Sequence, residues 1–107
     1  MLTEHTIKQA AAKIAAAAHS PIKVIVFGSY ARGEAKNDSD LDLIVVEDEI
    51  PDLAKEYNRI RDALGPIEIG VDLLLYTRSD FERRANWSSS PVFDAVRHGK
   101  VLYERDV

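Results

Sequence analysis

Cysteine is absent from this chain, so neither a disulfide framework nor a thiolate metal site is available to it. Long apolar runs are missing as well. Nothing approaches the roughly 20 residues needed to span a bilayer, and the first residues lack the charged-then-apolar pattern of a secretory signal. These absences make a cytoplasmic protein without membrane association the expectation. Positive charge is not in excess: 14 Lys and Arg stand against 18 Asp and Glu, a formal net charge of −4. Coating duplex nucleic acid, a task dominated by basic side chains facing phosphates, is therefore not expected. With 107 residues there is room for one compact domain, expected over 1–107, that buries roughly 65% of its extended-chain surface. A glycine-rich dinucleotide fingerprint and a Walker-type lysine loop are also lacking.

The informative stretch runs from Val24 to Val46, VIVFGSYARGEAKNDSDLDLIVV. Val24 to Phe27 is β-branched and aromatic and reads as a strand that stops at Gly28-Ser29, where the backbone can turn and present bare N–H groups to an anion. Tyr30 to Gly33 fits a short helical turn, and the polar loop Glu34 to Ser39 contains the turn pair Asn37-Asp38. A second strand follows from Leu41 to Val46. Asp40 and Asp42 lie two apart, on one side of an extended chain with Cα atoms roughly 6.5 Å apart. Carboxylates so placed can converge on two metal ions about 3.5–4 Å from each other, the geometry of phosphoryl transfer.

The remaining pattern supplies a frame. Ile7, Ala11, Ile14 and Ala18 recur at helical spacing, predicting a helix from Thr3 to about Ala18 that ends before Pro21. Glu47-Asp48-Glu49 reads as a solvated strand exit. Asp52 is placed to cap a helix from Leu53 to Leu64 with Leu53, Tyr57, Ile60 and Leu64 on one apolar stripe, stopped by Gly65-Pro66. Ile67 to Tyr76 alternates as a third strand, and Asp72 stands inside its apolar run, where an unpaired carboxylate would require a cation, a proton or donors nearby. Ser79-Asp80-Phe81-Glu82 matches a capping box opening a helix toward Ala85. Pro91 starts another short helix that His98-Gly99 ends, and Val101 to Tyr103 is a last strand or docked tail. The sum is an α/β (α+β) fold, a small mixed sheet with helices packed on it. His5, His19 and His98 show no ligand spacing.

Gly28-Ser29, then Ala31-Arg32-Gly33, then Asp40-Leu41-Asp42 on the next strand, with a third aspartate at Asp72, resembles the core motif of the DNA polymerase beta-like nucleotidyltransferases. At this length the chain is most similar to the minimal nucleotidyltransferases, many of which are antitoxins paired with HEPN toxins. The resemblance implies catalytic and metal-holding roles for Asp40, Asp42 and Asp72, two Mg²⁺ ions, and phosphate binding by Gly28, Ser29 and Arg32, although Arg32 read alone fits a solvent-facing loop nearly as well. It further implies transfer of AMP from ATP to a hydroxyl, the acceptor being a tyrosine of a HEPN partner. The alternatives are a non-catalytic module that neutralises its partner by occlusion, and a stand-alone transferase acting on a small molecule.

Overall fold

The computed structural model describes residues 1–105. Helix α1, Glu4–Ala17, is capped by the Thr3 hydroxyl, which accepts from the Thr6 N–H, and buries Ile7, Ala10, Ala11 and Ile14. Strand β1, Pro21–Phe27, starts at the proline itself, three residues earlier than the β-branched run suggests. A proline as the first residue of a strand donates no ladder bond and forfeits none. Helix α2, Gly28–Arg32, begins at the glycine and ends on Gly33 in the left-handed conformation (φ +72°), with both the Gly33 and Glu34 N–H groups donating to the Ser29 carbonyl. Strand β2 is Leu41–Glu47, helix α3 Leu53–Leu64 and strand β3 Val71–Thr77. Helix α4, Arg78–Arg84, helix α5, Pro91–His98, and strand β4, Lys100–Glu104, complete the described residues.

The sheet order is β3-β2-β1-β4. β1 pairs antiparallel with both β2 and β4, while β2 and β3 are parallel, joined by the crossover through α3. Alternation assigns the two faces. Val24, Val26, Leu41, Leu43, Val45 and Leu73 pack with α1 and α3, whereas Ile25, Ile44, Val46 and Leu74 pack with Phe81, Val92 and Ala95 of α4 and α5. Covered on both sides, β2 is apolar almost throughout. Asp42 shares its face with Ile44 and Val46, so its carboxylate emerges on the α5 side, at the end of the strand where the helix cover stops.

Four expectations are corrected. The acidic strand exit is not wholly solvated: Glu47 is fully buried and its Oε1 accepts from the Ser20 N–H at 2.9 Å, while Asp48 remains outside and binds Arg78 and Arg105. On α3 the buried stripe is Glu56, Ile60 and Leu64, with Leu53 59% and Tyr57 38% exposed. Glu56 turns inward because its carboxylate meets the His19 N–H at 2.8 Å and Arg59 at 2.9 Å, and those bonds offset the loss of water. Thr77, not Ser79, caps α4: its hydroxyl accepts from the Asp80 N–H. Asp72, finally, is exposed rather than embedded. β3 is an edge strand and Asp72 lies near its start, so the apolar neighbours in sequence do not enclose it.

Candidate active site

The parallel pairing sets Leu41 opposite Val71 and Asp42 opposite Asp72. Adjacent strands lie about 4.8 Å apart, so two side chains in register on one face meet directly. The Asp42 and Asp72 carboxyls are therefore neighbours, and Asp40, one residue before β2, adds its charge to the pair. Burial, then the bond to Asp72 and the negative charges of Asp72 and Asp40, push the Asp42 carboxyl from 3.8 up to about 6, while Arg32 pulls the other way. Two negative charges brought this close repel each other, and a cation between them relieves that repulsion.

Gly28 sits against this cluster. Its φ is +70°, and a Cβ built there would overlap Oδ2 of Asp42 and stand 3.1 Å from its Cγ. Glycine is thus required twice over, once for the backbone and once for room, and the start of α2 lies directly beside the carboxylate. Ser29 follows in the first turn, half-buried. Arg32, at the end of α2, is exposed and held by Glu34 (Nε to Oε1, 2.9 Å) and more loosely by Asp94 of α5 at 3.7 Å. Its charge reaches Asp42 from that position. All six residues singled out in the sequence, Gly28, Ser29, Arg32, Asp40, Asp42 and Asp72, therefore fall around one end of β2 and β3. The cleft there, about 350 Å³, is walled by Phe27, Tyr57, Val71, Leu73, Leu74 and Pro91 around Asp42 and Asp72. A larger apolar groove, about 600 Å³, continues along the outer edge of β3 past Leu53 and Tyr57. It carries no carboxylate, so the chemistry belongs to the smaller cleft.

Sequence reasoning missed the walls and the Arg32 tether. The sequence pattern places Tyr57 on the buried stripe and marks Pro91 only as a helix start. Tyr30, open to either stacking or packing, packs: its hydroxyl accepts from the Leu2 N–H at 3.0 Å. Trp87 is 45% exposed and flanked by the guanidinium groups of Arg83 and Arg84.

The donor set suits a hard divalent cation, because carboxylate oxygen is the ligand such ions prefer and a dication between Asp42 and Asp72 relieves the crowding of charge that raises Asp42. Among the described residues, no three His, Asp or Glu side chains are gathered closely enough to surround one ion as they stand. Asp42 and Asp72 form the pair, and Asp40 is the third carboxylate within reach of their field.

A mixed sheet whose two parallel strands open into a carboxylate cluster beside a Gly-Ser helix start defines an α/β domain of the nucleotidyltransferase fold. Residues 8–102 match the family described as "Nucleotidyltransferase domain", and the chain belongs to it. It is 50% identical over 52 residues to the protein adenylyltransferase MntA of Thermococcus cleftensis; that alignment spans 47% of this chain and half the length of the relative. The fold superposes on a crystal structure of a toxin-antitoxin with AMP-PNP (TM-score 0.66, 21% identity, 98% of this chain and 76% of the other). A similar superposition is found with a complex of tri-AMPylated Shewanella oneidensis HEPN toxin and MNT antitoxin (TM-score 0.61, 18% identity, 96% and 74%). No helix among the described residues is long and apolar enough to cross a membrane.

Proposed function

We propose that this chain is a Mg²⁺-dependent protein adenylyltransferase that moves AMP from ATP to a hydroxyl, a tyrosine of a HEPN-type partner, and thereby neutralises that partner. The observation that carries the reading is the pairing of Asp42 with Asp72 across the parallel strands, with Gly28 against the Asp42 carboxylate and Asp40 adding its charge from one residue before β2. The likeness to MntA and the AMPylated toxin in a structure of the same fold support the choice of nucleotide and acceptor.

In this reading the acceptor oxygen attacks the α-phosphorus, the bond from that phosphorus to the pyrophosphate oxygen breaks, and the acceptor's proton leaves to a carboxylate. Asp72 is exposed at the mouth of the cleft, so it faces the acceptor and takes that proton. Asp40 and Asp42, with Asp72, would hold two Mg²⁺ ions, which supply the positive charge that the attacking and leaving oxygens require. Gly28 and Ser29 take the β and γ phosphates at the start of α2, and Arg32 stands near enough to Asp42 to add a cation on the phosphate side. Phe27, Tyr57 and Pro91 wall the cleft beside the carboxylates.

The test is intact-mass spectrometry of the partner protein after incubation with this chain, ATP and Mg²⁺. Mass gains in whole adenylyl increments that vanish with the D40N/D42N variant are expected. A partner that stays unlabelled while it co-purifies with and is silenced by the variant as well as by the native chain would refute transfer in favour of occlusion. Label entering only a metabolite extract would move the acceptor to a small molecule.

A further inference from the structure

The register that joins Asp42 to Asp72 also brings together the residues two positions earlier. The Leu41 N–H donates to the Gly70 carbonyl at 2.9 Å, so the backbone ahead of β3 runs alongside the backbone ahead of β2. Asp40 and Asp42 point to one side of their strand, and Gly70 and Asp72 to the same side of theirs. The four positions form a square of three carboxylates and one hydrogen atom.

That hydrogen leaves a space, and Asp40 occupies it. A Cβ built on Gly70 would overlap Oδ1 of Asp40 and stand 3.0 Å from its Cγ. The glycine is not there for its backbone: unlike Gly28, Gly33 and Gly65, it does not adopt a positive φ, so alanine could take the same conformation. The obstructed group is the end of a short side chain on a segment with open solvent beside it, since Asp40 is itself exposed. Adding a methyl group therefore turns Asp40 aside without forcing the strands apart.

We propose that Gly70 is a positioning residue: its missing side chain is the seat of the Asp40 carboxylate, and it lets that carboxylate lean across the strand gap toward Asp42 and Asp72. The consequence for nucleotide transfer rests on the reading of Asp40 given under the proposed function. The seat itself does not.

Gly70→Ala, Asp40→Asn and the double variant test it. Gly70→Ala is expected to move the melting temperature by less than about 4 °C, a small effect for a domain of this size. In its crystal structure the Asp40 carboxylate should be rotated off the site. Mn²⁺ affinity, measured by titration calorimetry, should fall about 10- to 100-fold, as for groups that orient metal ligands. In the Asp40→Asn background the same substitution should change Mn²⁺ affinity less than about twofold, because the group it displaces has already lost its charge. An unmoved Asp40 in the Gly70→Ala crystal structure, or an equal loss of Mn²⁺ affinity in both backgrounds, overturns the proposal. A native chain that labels no partner refutes the transferase reading, and the Asp40 orientation in the variant then decides the role of Gly70 by itself.

Discussion

Replacing Glu47 with glutamine should make the protein more stable at neutral and alkaline pH, against the usual rule that core substitutions do harm. Glu47 is fully buried at the end of β2 remote from the aspartates, next to Glu56, itself 2% exposed. Burial first, then the hydrogen bond with Glu56, pushes the Glu47 carboxyl from 4.5 up to about 7; the Ser20 N–H works in the opposite direction. Glu56 titrates below its usual value, because its bonds to Glu47, the His19 N–H and Arg59 outweigh its own burial. Of the two, Glu47 is the carboxyl that takes up a proton more readily, and Glu56 is the one that holds its charge. The sign follows from linkage: a folded-state value above the unfolded one means that the native protein binds the proton more tightly. Its contribution is complete below about pH 4.5 and is lost as pH rises through about 7. At 1.36 kcal/mol per pH unit the displacement is worth roughly 3 kcal/mol. Glutamine keeps the Oε1 acceptor for Ser20 and donates to Glu56 at every pH, so it is exempt from that loss. Thermal unfolding by circular dichroism should find the two proteins close at pH 5 and separated at pH 8 by about 10 °C or more, the glutamine form being the higher. Parallel curves of melting temperature against pH for the two proteins would refute the shared-proton account of this pair.

Two further outcomes are expected from the same structure. Ile60→Ala should cost about 2–4 kcal/mol in urea denaturation, since Ile60 is fully buried, whereas Leu53→Ala should stay within about 0.5 kcal/mol because Leu53 is 59% exposed. Equal losses would restore the stripe that the sequence suggests. Mn²⁺ affinity should fall as pH is lowered through about 6, approaching tenfold per pH unit below it, because the proton on Asp42 and the cation compete for the same oxygens. An affinity independent of pH between 5 and 7 in calorimetric titration would remove Asp42 from the metal-holding set.

Most of the frame was legible because it depends on local rules. Helix α3 occupies Leu53–Leu64, the span set by its Asp52 cap and the Gly65-Pro66 stop, and α5 runs from Pro91 to His98 as its proline and glycine dictate. Strand ends were less legible. β1 reaches back to Pro21 because β2 extends to Glu47 and offers it a partner, a pairing between residues 26 apart in sequence. The six candidate site residues could be named from their types and spacing, but that spacing does not say which of the acids are neighbours in space.

The amino-acid order alone determined the alternation of helix and strand, the mixed α/β class and the concentration of acids around Asp40 and Asp42, since periodicity, capping and turn chemistry act within a few residues of themselves. Only tertiary structure decided which acids meet. Parallel pairing of β2 with β3 sets Asp42 against Asp72 and Asp40 against Gly70, while the crossover through α3 sets Glu47 against Glu56 at the other end of the same strand. The physical reason is that a carboxylate's charge state depends on what lies within a few ångströms in space, and sequence distance does not report it. Glu47 and Asp48 are adjacent in the chain, yet one is buried with its carboxyl pushed up to about 7 and the other is a surface anion bound to Arg78 and Arg105.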